Sequence, residues 1–145
     1  MRLIIQRVSK ASVKVEGKIV GEIDKGLFVL VGVKKGDQNK EAEALAEKLF
    51  KLRIMADKEG KMNLSVLEVK GEFLVVSQFT LYADTSGGNR PSFIQAAQQT
   101  DAKRIYEYFV ARLKEKAAKV ETGSFGEYME IKLLNDGPVT ILLES

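Results

Sequence analysis

The chain has 145 residues, the size of one ordinary domain, and 45% of them are hydrophobic and 30% charged. It contains no cysteine and no histidine, which excludes disulfides, thiolate chemistry, histidine-based zinc sites and any Ser-His-Asp triad. The formal net charge of +3 permits an anionic partner such as RNA but does not require one.

The sequence shows no apolar run long enough to span a membrane and no signal peptide, so we expect a cytoplasmic protein without a membrane partner. It shows no internal repeat or linker, so residues 1–145 are predicted to form a single domain. Without histidine, an enzyme of this composition would rely on positioning, on backbone dipoles or on a group that its substrate supplies.

The N-terminal part of the chain predicts a run of strands. Residues 13–16 and 19–23 flank Gly17-Lys18 and predict a β-hairpin, and residues 24–26 predict a second turn. Residues 27–33 are the most apolar stretch and predict a central strand. Arg7 puts a charge inside an apolar strand, either at an edge that faces water or as a fixed donor fork aimed at backbone carbonyls.

The apolar spacing changes after this strand region. Residues 39–52 carry apolar side chains at the spacing of one helix face and predict an amphipathic helix. Residues 57–61 predict a turn. The segment Met62-Asn63-Leu64 is predicted to run beside the central sheet or to line the core.

Residues 73–76 are uniformly apolar and predict a strand covered on both faces. If the strand continues through Ser77-Gln78-Phe79-Thr80-Leu81, Gln78 and Thr80 lie on the same face. Residues 84–90 then predict a flexible loop. Polar side chains at the end of a buried strand fit either a simple strand terminus or a place for chemistry.

The apolar spacing predicts a second helix from Thr100 or Asp101, as N-cap, to about Lys119. Its exposed face is basic, which usually indicates only a solvated surface, although contact with RNA phosphates is the alternative. The basic side chains include Lys103, Arg104, Arg112, Lys114, Lys116 and Lys119.

The C-terminal part of the chain predicts a loop at residues 122–126 and two last strands, at 128–134 and 139–143. Asp-Gly within Asn135-Asp136-Gly137-Pro138 signals a hairpin turn between them, but Pro138 cannot donate to a ladder and indicates an edge or a special turn. The elements together predict one strand-rich α/β domain, with antiparallel sheets closing into a barrel-like core and two packed amphipathic helices.

Two segments together closely resemble the motif pair of the D-aminoacyl-tRNA deacylase (D-tyrosyl-tRNA deacylase) family. They are Ser77-Gln78-Phe79-Thr80-Leu81 and Asn135-Asp136-Gly137-Pro138-Val139-Thr140. The resemblance spans nearly the whole chain and includes Ile5-Gln6-Arg7-Val8 through Ala11-Ser12-Val13, Gly60-Lys61-Met62-Asn63-Leu64 and Arg90-Pro91-Ser92-Phe93.

The resemblance implies a homodimeric editing enzyme that cleaves the ester of D-aminoacyl-tRNA and of glycyl-tRNA mischarged on tRNA-Ala, without a cofactor, a metal or a DNA partner. It implies that Gly137-Pro138 is cis and enters the partner subunit's active site, at the subunit interface, where its carbonyls exclude the side chain of an L-amino acid. It further implies that Arg7 orients this turn and that Met62 and Asn63 line the pocket.

The expected catalytic residues are Ser77, Gln78, Phe79 and Thr80. Backbone N–H groups of Phe79 and Thr80 are candidates to stabilise the oxyanion that forms on the ester. Thr80 as a nucleophile would need a nearby base, and none lies between Ser77 and Tyr82. We therefore expect RNA-assisted hydrolysis, in which the terminal ribose 2′-hydroxyl of tRNA positions or activates water.

Two other functions remain open. A non-catalytic RNA-binding module is favoured by the basic second helix, but the sequence has no tryptophan and no aromatic stacking cluster. An editing module for another mischarged tRNA is the nearer alternative, and the cis or trans state of Gly137-Pro138 would discriminate it from a D-aminoacyl-tRNA deacylase.

Overall fold

The computed structural model describes residues 1–145. The chain forms eight strands and two helices, and neither helix is long and apolar enough to cross a membrane. The strands are β1 (Arg2–Val15), β2 (Lys18–Ile23), β3 (Gly26–Gly32), β4 (Met55–Ala56), β5 (Met62–Leu64), β6 (Glu72–Ser77), β7 (Val120–Thr122) and β8 (Glu130–Glu144), and the helices are α1 (Asn39–Lys51) and α2 (Gln99–Lys114).

Six strands form one sheet in the order β2-β1-β3-β6-β7, with β8 paired along β1. β1 pairs with β3 over its first half and with β2 over its second half, while β8 follows nearly its whole length. The sheet is mixed, because β6 runs parallel to β3 and to β7. A Cβ atom added at Gly21 in β2 would lie 2.5 Å from the carbonyl oxygen of Thr122 in β7, so these strands nearly close the predicted barrel.

The core lies on both faces of this sheet. A cluster of 24 buried residues fills the space between the sheet and the helices, and a second cluster of 7 fills the inside of the barrel. In β6, Phe73 and Val75 belong to the first cluster and Leu74 and Val76 to the second. The prediction of a strand covered on both faces is confirmed.

The N-terminal hairpin is confirmed, with its turn at Glu16-Gly17. Both residues have positive φ, 49° and 78°, as the tight two-residue turn of a hairpin requires. Of the two positions predicted for Met62–Leu64, the one beside the central sheet is wrong, and only Leu64 of this segment packs on the core. This strand, β5, pairs only with β4 in a separate two-stranded sheet.

The first predicted helix is confirmed, and α1 begins with a capping box formed by Gln38 and Glu41. The second helix is shorter than predicted. It is preceded by Gln98 as N-cap instead of Thr100 or Asp101, and it ends at Lys114. The apolar spacing extends beyond Lys114 to Ala117, whose side chain packs on the core although it lies past the end of the helix.

The predicted hairpin near the C-terminus is wrong, because both segments belong to the single strand β8. β1 is long enough to pair with both, so no chain reversal occurs between them. The register between β1 and β8 shifts after the pair Gln6–Thr140, and the next pair is Val8–Asn135. This shift leaves residues 136–139 as a bulge opposite Arg7. The Asp-Gly-Pro sequence forms this bulge.

Candidate active site

The strand β6 ends at Ser77 and does not continue through Leu81, so Gln78 and Thr80 do not share a strand face. The N–H of Gln78 still donates to Val31 (2.8 Å), but residues Phe79–Tyr82 form a short 3₁₀ turn. Arg2 fixes this turn, since its guanidinium donates to the carbonyl of Leu81 and lies 4.9 Å from the ring centre of Tyr82. Burial of Tyr82, together with the charge of Asp37, raises its phenol pKa to about 12.

A pocket of about 650 Å³ opens where β6 ends. Ser77, Gln78 and Phe79 form part of its wall, so the structure brings three of the four predicted catalytic residues together. Its other lining residues are mostly apolar and come from the end of β3 onward, from β6, from the start of α2 and from the segment that leads into β8: Val33, Val76, Ala97, Gln99, Ala102, Phe125, Gly126, Glu127, Tyr128, Met129 and Ile131.

Two backbone donors at this turn have no partner in the chain. The N–H of Leu81 donates to the carbonyl of Gln78 (3.3 Å), but the N–H groups of Phe79 and Thr80 donate to no carbonyl. The first N–H groups of a helical turn lack acceptors inside it. They are therefore free to bind an anionic oxygen beside the pocket.

Thr80 is exposed and does not line the pocket. Its hydroxyl accepts a hydrogen bond from the side-chain amide of Gln78. An amide is not a base, so this contact orients the hydroxyl without activating it as a nucleophile.

Arg7 is buried, and the structure agrees with its interpretation as a donor fork. Its Nε donates to the carbonyl of Asp136 and its Nη1 to the carbonyl of Ile54, both at 2.8 Å. The carboxylate of Asp136 lies 3.2 Å from Nε. Arg7 thus connects the bulge of β8, through hydrogen bonds, to Ile54 in the segment between α1 and β4.

Gly137 and Pro138 lie at the exposed tip of this bulge, and the peptide bond between them is cis. Neither residue lines the pocket of its own chain. Gly137 has a φ of +156°, and a Cβ atom there would collide with the backbone nitrogen of Val139. Glycine is therefore required for this backbone conformation.

Met62 and Asn63 lie on β5 and are likewise absent from the pocket wall of their own chain. The Met62 side chain is 59% exposed. Asn63 is fixed by hydrogen bonds to two side chains. Arg53 donates to its backbone carbonyl and to its side-chain oxygen, and its side-chain amide donates to the carboxylate of Asp57 (3.3 Å). Hydrogen bonds from the N–H groups of Lys61 and Glu59 lower the pKa of the Asp57 carboxyl.

The loop after the 3₁₀ turn is closed at its base, where Asp84 and Ser92 exchange two backbone hydrogen bonds of 2.8 Å. Phe93 follows this bridge, and its ring packs edge-on against Phe79 at 4.9 Å between ring centres. The Arg90–Phe93 segment therefore contacts the pocket through Phe79.

Sequence reasoning missed the second wall of the pocket and the residues that position the first. Phe125 belongs to a segment predicted only as a loop, although an aromatic residue between Gly123 and Gly126 was a usable signal, and Tyr128 and Met129 were predicted only as the start of a strand. The positioning roles of Arg2 and Arg53 were also missed.

The chain matches the family model described as D-Tyr-tRNA(Tyr) deacylase over residues 4–144. It is 56% identical to a D-aminoacyl-tRNA deacylase of Thermosipho melanesiensis, over 100% of this chain and 97% of the relative.

Two solved structures share the fold of this chain over nearly its whole length. A protein described as c-Myc DNA Unwinding Element Binding Protein superposes with a TM-score of 0.95 at 39% identity, covering 100% of this chain and 99% of that one. A probable eukaryotic D-amino acid tRNA deacylase superposes with a TM-score of 0.84 at 17% identity, covering 99% and 98%. The second likeness concerns the fold alone.

Proposed function

The chain belongs to the D-Tyr-tRNA(Tyr) deacylase family, whose members are hydrolases acting on aminoacyl-tRNA, and we propose that it cleaves the ester between a D-amino acid and tRNA. The single observation that carries this function beyond family membership is the pocket at the end of β6, with the two unpartnered N–H groups of Phe79 and Thr80 beside it.

These N–H groups stabilise the oxyanion that forms when water attacks the ester carbonyl. Such donors favour the transition state because the negative charge on oxygen exists only there, and removal of one donor typically costs about 10²–10³ in rate. Gln78 and Thr80 orient the ester from the turn. The products are the free amino acid and tRNA.

The attacking water is positioned by the free 2′-hydroxyl of the terminal ribose. No histidine or cysteine exists in the chain, and the only side-chain partner of the Thr80 hydroxyl is the amide of Gln78. The water proton passes through the ribose hydroxyl to the departing 3′-oxygen, so the reaction needs no protein base. The ester is already activated, which keeps the remaining barrier modest.

The enzyme rejects L-aminoacyl esters by steric exclusion at the active site of a homodimer. The exposed Gly137-Pro138 turn enters the pocket of the partner subunit, where its carbonyls leave room for hydrogen but not for a side chain. Glycine has no side chain to exclude, so glycyl-tRNA is also a substrate. Met62 and Asn63 complete the pocket from their exposed strand.

The surface of β8 supports this dimer. β8 pairs only with β1, which leaves its other edge open. Leu134 and Leu142 on this strand are 63% and 52% exposed, and such an apolar edge favours pairing with another chain. A two-fold axis would bring each turn to the other subunit's pocket.

Nucleic-acid binding without catalysis is the second candidate. It is favoured by the solved structure at 39% identity, which is described as a DNA unwinding element binding protein, and by the sequence pI of about 9.0. A pure binding module would bind charged tRNA without releasing the amino acid.

The proposed function is tested by incubating the purified protein with D-tyrosyl-, L-tyrosyl- and glycyl-tRNA and measuring the released amino acid. We expect rapid release from the D and glycyl esters and little from the L ester. Phe79→Pro removes one of the two N–H donors and should slow release by about 10²–10³. Release of D-tyrosine and L-tyrosine at equal rates in the presence of the enzyme would refute the proposal.

A further inference from the structure

A second groove adjoins the pocket and has no role in the reaction described above. It has a volume of about 500 Å³ and lies between α2 and the segment Thr122–Phe125. Phe125 lines both the groove and the catalytic pocket, so the two depressions meet at its ring. A strand leaving the pocket past Phe125 would enter this groove.

The charged residues of the groove share one face of α2. Lys103, Glu107 and Lys114 all line it, because positions four and eleven residues apart recur on the same side of a helix. The two lysines are separated by roughly 16 Å along the helix axis, from the rise of about 1.5 Å per residue. Thr122 and Ser124 add hydroxyl groups on the opposite side.

The basic residues predicted as one surface divide into two groups, apart from Lys119, which pairs with Glu72 (3.0 Å). Lys114 is exposed and forms no ion pair, and Lys103 is only loosely paired, at 3.9 Å from Glu107. The other group contacts α1 and is thereby occupied. Its pairs are Arg112 with Glu43 (3.3 Å), Lys116 with Glu47, and Arg104 with Asn39 (3.0 Å).

We propose that this groove binds the phosphates of the unpaired nucleotides that precede the terminal adenosine of tRNA, through Lys103 and Lys114. The inference rests on the proposed function, which places the terminal ribose in the adjoining pocket. Two flexible ammonium groups at the rim of a groove fit a phosphate chain, since lysine contacts phosphate as a point charge without base specificity. Glu107, between them, weakens this contact.

The test compares Lys103→Ala/Lys114→Ala with Lys18→Ala/Lys48→Ala, a control pair of exposed lysines that line neither depression and remove the same charge. Binding of uncharged tRNA is followed by fluorescence anisotropy between 50 and 300 mM salt, roughly the range in which phosphate contacts are resolved. Turnover is measured on D-tyrosyl-tRNA and on D-tyrosyl-adenosine, which carries the same ester without phosphates.

We expect the groove variant to lose about tenfold in kcat/KM on tRNA at low salt, from two exposed charge pairs. The slope of log K against log salt should flatten by about 1.4, since each single-strand phosphate contributes about 0.7. D-tyrosyl-adenosine should be cleaved at the wild-type rate. Glu107→Gln should bind tRNA more tightly than wild type.

A groove variant with the wild-type salt slope, or with an equal loss on D-tyrosyl-adenosine, would overturn the assignment of the groove while leaving the proposed deacylase intact. In the converse result, the wild-type protein cleaves neither substrate, but the groove variant binds tRNA more weakly than the wild type. This result would support the groove as an RNA surface and refute the deacylase function.

Discussion

Replacement of Arg7 by methionine tests whether this buried guanidinium holds the Gly137-Pro138 turn. Methionine keeps most of the length and apolar stem of arginine but has no donor. The variant leaves the carbonyls of Asp136 and Ile54 without the two hydrogen bonds of 2.8 Å that they accept in the wild type. We expect the bulge of β8 to lose its fixed orientation.

The cost follows from these contacts. A buried acceptor left without its donor costs about 1–3 kcal/mol, so two carbonyls give about 2–6 kcal/mol. We expect the lower half of this range, about 2–4 kcal/mol, because the Asp136 end of the contact is only partly buried and water can replace the guanidinium there. At about 2–4 °C per kcal/mol for a chain of this size, the melting temperature should fall by roughly 4–16 °C.

Asp136→Asn is the matched control, since it removes the carboxylate but keeps the carbonyl that Arg7 contacts. Its ion pair involves a carboxylate that is 44% exposed, so its loss should cost at most about 1 kcal/mol. Urea unfolding gives both free energies, and release from D- and L-tyrosyl-tRNA gives the selectivity. If Arg7→Met costs no more than Asp136→Asn, and D/L selectivity stays at the wild-type value, Arg7 does not hold the turn.

The remaining predictions concern the turn, the nucleophile and the acid limit of stability. Gly137→Ala forces a side chain into a φ of +156°, at about 1–3 kcal/mol, and because the turn is exposed we expect D-ester release or D/L selectivity to fall more than the melting temperature. Gly17→Ala, at a φ of +78° with no atom within 4 Å of the new Cβ, is the control for strain alone. Thr80→Ala should retain measurable hydrolysis, whereas tRNA with a terminal 2′-deoxyribose should lose most of it; an acyl-Thr80 adduct in the mass spectrum would contradict this. Hydrogen bonds from N–H groups lower the pKa of Asp57 from its ordinary 3.8, so its stabilisation is present above that value and is lost as the pH falls through the lowered one. The urea midpoint should therefore fall as the pH is lowered from about 5 to about 2, and it should fall less in Asp57→Asn, where an equal fall would exclude Asp57 as a contributor.

The sequence by itself determined the elements whose pattern is local. The spacing of apolar residues in α1 and the uninterrupted run in β6 follow from which faces those elements bury, and each face can be read within a few turns or a few residues. The family motif likewise predicted that Ser77, Gln78 and Phe79 lie together, because their positions along one segment fix their proximity.

Only the tertiary structure decided what distant segments do to each other. Asp136-Gly137-Pro138 has the local signature of a hairpin, but the length of β1 converts it into a bulge that Arg7 anchors across 129 residues of sequence. The second wall of the pocket comes from Phe125 and Tyr128, which reach Ser77 only because β7 lies beside β6. The basic residues of α2 also depend on what lies beside the helix: Arg104 and Arg112 contact α1, whereas Lys103 and Lys114 line the groove. Local propensity sets which residues can form a strand or a helix, but the partner across the sheet or groove determines what each side chain contacts.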